Sequence, residues 1–429
     1  MKAKIIPIFV ICTLFSPVFL SCEDSTFREY DGNSPIYISY EELRTPVTAV
    51  NDVALENTGK IYFKDNYIFI IEELKGIHVF DNTNPASPVK KKFIKVPGVV
   101  DMAISGNALY ADSFVDLVVI DVQDINNIKE IGRLKDILPY TVPPTNNKLP
   151  MAYVDQDKGL VSGWEQKVIK ERVYTQSQSY PVYRTGMMFE DFVKLSNPAP
   201  SGGVSSSGVG FGGSMARIGI KDKVLYLLDN SSLRIFDITV KSSPGLLVNM
   251  NAGWGIETMF LTDKNMFLGT TTGMIIYDIA NPLTPVRLST YNHLRSCDPV
   301  IVDDTLAYVT LRTGTNCGGS INALDVVNIK NLSSPKVVWS YPMVNPHGLG
   351  KDGNLLFICD GTAGLKVYDA SNAKTITSNL LYSYPNIKAY DVIPLGSVLV
   401  LISDEGLFQY SYSNIQNISL LSTIPVSNN

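Results

Sequence analysis

The chain is 429 residues long, 45% hydrophobic and 18% charged, the composition of an ordinary globular protein. Its net charge of -5 and pI near 5.4 leave no basic footprint, which argues against nucleic acid as a partner. The 22 Tyr and 17 Phe favour strands over helices.

The N-terminus reads as an address. Lys2 and Lys4 form a positive start, and Ile5 to Leu20 is an apolar stretch too short for a comfortable membrane span. It ends at Phe19-Leu20-Ser21-Cys22, which resembles a bacterial lipobox, although Phe19 and Leu20 depart from its strictest form. Residues 1–21 are therefore expected to be a signal peptide and Cys22 the site of lipidation. Plain secretion or an uncleaved anchor is the alternative. Acylation with more than one chain would hold the protein on a membrane. Glu23 and Asp24 follow, then a polar tether to about Pro35. Acids placed just after the lipidated Cys resemble the surface-export signal of Bacteroidetes-type lipoproteins; a solvated linker is the plainer reading. The expected location is the cell envelope, as an outer-membrane lipoprotein and conceivably at the surface.

Residues 22–46 read as tether and N-terminal segment, and 47–429 as the domain that follows. Residues 36–58 show alternation in Ile36-Tyr-Ile-Ser-Tyr40 and an apolar patch at Val47–Val53, and are expected to pack across the last blade of that domain.

That domain repeats. Asp116-Leu-Val-Val-Ile-Asp121 is an apolar strand ending in Asp. Relatives are Gly76-Ile-His-Val-Phe-Asp81, Ser232-Leu-Arg-Ile-Phe-Asp237, Gly273-Met-Ile-Ile-Tyr-Asp278, Ile321-Asn-Ala-Leu-Asp325, Gly364-Leu-Lys-Val-Tyr-Asp369 and Gly406-Leu-Phe-Gln-Tyr-Ser411. Successive motif ends lie 40, 41, 47, 44 or 42 residues apart, the period of a four-stranded propeller blade. In residues 99–135, strand A is Val100–Ile104, B is Ala108–Asp112, C is Leu117–Asp121 and D is Ile128–Arg133. Asn84-Pro85 and Asn281-Pro282 supply turns from C to D. The same order fits 60–98, 215–253, 254–297, 298–346, 347–386 and 387–429. The expectation is an all-β, seven-bladed β-propeller. Asp121 and Asp237 lie 116 positions apart, so 141–214 is read as an insertion, with an eighth, degenerate blade as the alternative. Within it, Gly159–Trp164 and Lys167–Tyr174 read as a strand pair, and 201–214 as a Gly- and Ser-rich linker.

The C-strand motif resembles the LVIVD repeat, named for a strand like Leu117-Val-Val-Ile-Asp121. The resemblance covers 60–429 apart from 141–214. It implies a propeller on a bacterial or archaeal cell surface, often a lipoprotein, and it transfers no catalytic motif.

In a propeller the D-to-A and B-to-C loops share one face, which puts the insertion there. The starts of the A strands line the axial channel on that face and supply Lys60, Asp101, Arg217, Glu257, Asp298, His347 and Asp391. Mutual pairing and hydration is one reading of these charges; a polar ligand site under the insertion is the other. Arg312 ends strand B of the fifth blade, either in a salt bridge to Asp298 or Glu257 or facing an anionic ligand. Cys297 and Cys317 are expected to approach and form a disulfide, with Cys359 as a competitor or a packed thiol. His78 reads as a surface or inter-blade residue. His347 is a candidate base beside Asp298 or Asp391. No Gly-x-Ser-x-Gly, His-Glu-x-x-His, P-loop, EF-hand or CxxC motif occurs, and neither a metal nor a cofactor is expected. Trp254, with Trp164, Tyr174, Tyr180 and Tyr183 of the insertion, would suit glycan stacking or packing. The function read from this is a monomeric, non-catalytic binding or assembly module using the insertion face, with a glycan or envelope protein as partner. The alternative is a lyase or hydrolase with His347, Arg312 and Asp298 at the channel mouth.

Overall fold

The structure, a computed structural model, describes residues 27–51, 53–56, 58–145, 148–172, 211–212, 216–292, 299–312, 321–385, 387–403 and 405–427. The signal stretch, Cys22, His293, Cys297, Asp298, Cys317, Tyr174, Tyr180 and Tyr183 lie outside them.

The recurring motif builds each blade from local chemistry. Its terminal Asp caps the turn that follows: Asp81, Asp121, Asp237, Asp278 and Asp369 each accept the backbone N–H two residues on. A second such turn follows at Asn84, Asp124, Asn281, Asn331, Asn372 and Asn414. The Gly that opens several motifs is dictated by strand D. A Cβ on Gly76, Gly273, Gly364 or Gly406 would stand 2.0–2.2 Å from a D-strand carbonyl oxygen. Between C and D every blade then slips register once, at Val79/Phe80 in the first and Gln409/Tyr410 in the last. A bulge at this one position increases the local twist of each outer strand.

These strands assemble as seven antiparallel blades in a ring. Blade one is Ile61–Lys64, Tyr67–Glu72, Gly76–Asp81 and Val89–Lys95, strands A to D. Blades two to seven span 102–134, 218–251, 256–292, 300–342, 349–384 and 389–425. Each comes from one contiguous stretch, and the alternative of an eighth blade is not what the described residues form. Tyr110, Tyr226, Tyr308, Phe69, Phe236, Phe267 and Phe357 are fully buried and fill the space between blades. The ring closes without strand exchange. Gln409 exchanges amide hydrogen bonds with Asn82 and donates to the Pro85 carbonyl, where Ser422 also donates. Leu55 packs with Ile68 and Ile70 of blade one and Val400 and Ile402 of blade seven, and its carbonyl accepts the Ser427 N–H.

Three sequence expectations change. In blade five the motif is displaced by three residues. Strand C is Ala323–Asn328, and Asn328 accepts the Lys330 N–H in the role given to Asp325. Asp325 sits mid-strand and accepts the Tyr291 hydroxyl at 3.0 Å. The tether is partly strand: Phe27–Ile38 pairs antiparallel along its length with Leu160–Arg172, one continuous strand rather than two. Lastly, Thr48–Val50 adds an outer strand to blade one, so the N-terminal segment clasps the first blade as well as the last.

Candidate functional site

The N-terminal segment and the insertion thus make one two-stranded ribbon, and its base is fixed to the propeller. Ile38, Leu43 and Leu160 pack with Phe114 and Val115 in the B-to-C loop of blade two, with Leu74 from the same loop of blade one alongside. Ser39 caps the short helix Tyr40–Leu43 by accepting the Glu42 N–H. Arg44, just beyond, forks onto the fully buried Asp116 with two 3.0 Å hydrogen bonds. Asp116 also takes Arg133 at 3.3 Å and the Asp136 N–H at 2.9 Å. Tyr140 and Trp164 donate to the carbonyls of Gly159 and Pro143, tying the insertion to itself. All these loops are B-to-C or D-to-A connections, so the insertion stands on the face expected.

The channel mouth beside the ribbon holds a buried charged cluster. Lys60 lies 2.9 Å from Asp101, which also accepts the backbone N–H groups of Arg217 and Ile218. One carboxylate therefore joins blades one, two and three. The Phe211–Gly212 backbone, just before blade three, pairs with Tyr62–Phe63 on the inner edge of blade one. Asp112 accepts the N–H groups of Val100 and Asp101 at 2.7 and 2.9 Å. Burial pushes its pKa up to about 6, with those two bonds opposing. Glu73 is half-buried, but its Oε1 has no solvent contact and no hydrogen-bond partner among the described residues; burial raises its pKa to about 8 despite Lys60 nearby. Burial also lowers the Lys60 ammonium, against the pull of Asp101. The sequence reading placed Lys60, Asp101 and Arg217 here and missed Glu73 and Asp112. Acids at or just past the ends of B strands were the available signal: Glu72, Asp112, Asp229 and Asp360 all stand there.

Those acids serve the loops. Asp360 accepts the N–H groups of Val344 and Asn345 and the Lys366 ammonium. Asp229 holds the N–H groups of Ser231 and Ser232, and Arg234. Burial would raise Glu72, but hydrogen bonds from His78 at 2.7 Å and Lys75 hold it below its ordinary value. His78 is wholly buried and tilted against Phe93, which rules out the surface reading.

The other predicted residues lie across the mouth. Glu257 and Arg312 are buried at the start of strand A in blade four and after strand B in blade five. His347 is fastened by its main chain: its N–H donates to Cys359 and its carbonyl accepts Thr310 at 2.7 Å. Its ring meets Tyr390 edge-on at 5.3 Å, and Nε2 lies 3.2 Å from the Asn345 amide. Asp391 is fully buried, its carboxylate short of close, well-aligned hydrogen bonds among the described residues, with the adjacent Val392 N–H favouring its charged form. Burial raises it well above the carboxylate range. The nearby Cys359 is a buried free thiol, itself pushed up by burial and then by Asp391, so it behaves as packing. No group of three or more metal-ligating side chains occurs among the described residues.

Trp254 departs from all of this. It is 78% exposed, in the D-to-A link between blades three and four. Gly253 and Gly255 flank it at φ 141° and 63°. A Cβ on Gly255 would stand 2.5 Å from Thr271 Oγ1, so the glycine lets the link pass close over the neighbouring B-to-C loop. Val344 and Ile321, also exposed, belong to loops of the same face in blades five and six.

No protein-family model matches the sequence, and no curated protein matches it. Among solved structures, a crystal structure of a protein from Lactobacillus plantarum is similar in fold. Its TM-score is 0.53 at 10% identity, over 86% of this chain and 97% of that one. Sqt1 of Saccharomyces cerevisiae gives a TM-score of 0.49 at 9% identity, over 86% and 87%.

Proposed function

We propose that the protein is a lipid-anchored LVIVD-type propeller of the cell envelope and binds a glycan or an envelope protein through its insertion face without catalysis. The observation that carries this reading is Trp254. A side chain of its area, left in solvent between two glycines, suits a stacking surface or an interface anchor. The buried acids of the same face support it, because most are already committed to loop N–H groups.

Intrinsic fluorescence titrated with a panel of soluble envelope oligosaccharides tests it, followed by pull-down from solubilised envelopes. Trp254→Ala should leave stability within about 0.5 kcal/mol of wild type. It should weaken binding by about tenfold or more, as loss of an aromatic anchor does. Unchanged capture by Trp254→Ala sinks the reading. A second reading, a lyase or hydrolase, is favoured by Glu73 and Asp112, whose raised acids sit beside Lys60. Turnover of any panel member that Glu73→Gln abolishes would select it.

A further inference from the structure

From Phe27 on, the stretch expected to be a polar tether is one strand of a β-ribbon, and this bears on how the protein would meet a membrane. Phe27, the first residue of the ribbon, is five residues from Cys22. Five residues reach at most about 18 Å. The ribbon strand then runs 12 residues without a break, about 40 Å of paired backbone. It ends in the Ile38–Leu43–Leu160 base and the Arg44–Asp116 fork. Nothing slack intervenes between its tip and blade two.

The outer half of the ribbon is held by its own strands and by residues 149–153. Glu171 accepts from Arg28, Tyr30 and the Tyr153 N–H. Asn33 pairs with Leu149, Pro150 and Ala152. Ile169 is buried over Gly32, where a Cβ would meet both Ile169 and the Pro150 carbonyl. The opposite side of the ribbon carries Phe27, Glu29 and Asp31 across from Arg172, Lys170 and Val168. Phe27 and Val168 are 59% and 60% exposed, each with a cation and an acid beside it: Arg172 and Glu29 by Phe27, Lys170 and Asp31 by Val168. Exposed apolar side chains set among charged ones suit the boundary between lipid headgroups and acyl chains.

We propose that the ribbon is a rigid strut whose tip rests in the headgroup layer of the bilayer that holds the Cys22 lipid. The insertion face, with Trp254, is thereby turned toward the membrane. This rests on the lipid-anchor reading above. It makes the partner a molecule presented from the same bilayer.

The test uses the full, processed chain in phosphatidylethanolamine–phosphatidylglycerol vesicles whose acyl chains carry bromine near the headgroup. Phe27→Trp places a reporter at the tip. Val286→Trp, exposed on strand D of blade four, places one on the propeller's side. Bromine should quench the added emission of F27W at least about twofold more than that of V286W, since the interfacial layer is only about 5–10 Å deep. Incorporation of an alkyne fatty acid, lost in Cys22→Ala, is measured on the same preparations. A labelled chain in which F27W is quenched no more than V286W overturns the strut alone. A chain that takes no label overturns the anchor, and the strut with it.

Discussion

The two faces of the propeller are made by the same repeat and differ in how their loops are held. On the face of the A-to-B and C-to-D loops, each C-to-D turn is closed within a few residues by Asx turns, from Asp81 and Asn84 through Asp369 and Asn372. On the other face local bonds such as those of Asp229 are joined by ties over long range. Arg44 reaches Asp116 across 72 positions, and Asp101 holds the Arg217 N–H across 116. Locally closed turns can be copied unchanged from blade to blade. Loops that depend on distant partners are free to differ, and Lys60, Asp101, Arg217, Arg312, His347 and Trp254 are found among them, with Asp112, Glu257 and Asp391 near the ends of strands.

Three substitutions break or sharpen that contrast. Asp116→Ala should have the largest effect, because it leaves Arg44 and Arg133 beside a site stripped of its buried charge. A loss of about 3 kcal/mol is expected in urea unfolding, with proteolysis first attacking 27–44. A loss under about 1 kcal/mol would mean the ion network does not hold the ribbon. Glu73→Gln comes next. Burial raises the folded pKa of Glu73 from 4.5 to about 8, so the fold favours the neutral acid. Its contribution is fully present at low pH and lost as pH rises from the unfolded value through about 8. Asp112 acts in the same sense between 3.8 and about 6. Between pH 5 and 9 the wild type should lose stability that Glu73→Gln keeps, on the order of 1–3 kcal/mol at the alkaline end. Parallel pH profiles would show that Glu73 is solvated. Asn328→Ala is the smallest. It removes one Asx bond on the local face and should cost about 0.5–1 kcal/mol by thermal melting, whereas Asn328→Asp should be neutral.

The same contrast explains what could be read from the sequence. Apolar strands that end in Asp are local, so the motif counted seven blades and located the insertion. It failed where local chemistry offered a decoy. Ile321-Asn-Ala-Leu-Asp325 also ends a short apolar run in Asp, while the true turn uses Asn328. The ribbon was hidden for a different reason. Gly32-Asn-Ser-Pro35 has poor strand composition, and its partner strand lies well over a hundred residues away. At the mouth, reading A-strand starts found Lys60 and Asp101. Glu73 and Asp112 enter from the neighbouring strands, where only burial shows their importance. Trp254 was recognisable as an aromatic on the right face, but no spacing says whether a loop Trp turns inward or out.

Ring closure has a consequence for the order of events. The bonds that seal blade seven to blade one join Asn82 to Gln409, 327 positions apart, with no strand shared between them. During synthesis the first six blades can each stack on the one before, while the flank of blade one must wait for blade seven to arrive. Over that interval Leu55 lacks its contacts with blade seven, and the Asn82 side chain lacks Gln409. The seam is the youngest joint of the ring, and until it closes the flank of blade one stays open to solvent.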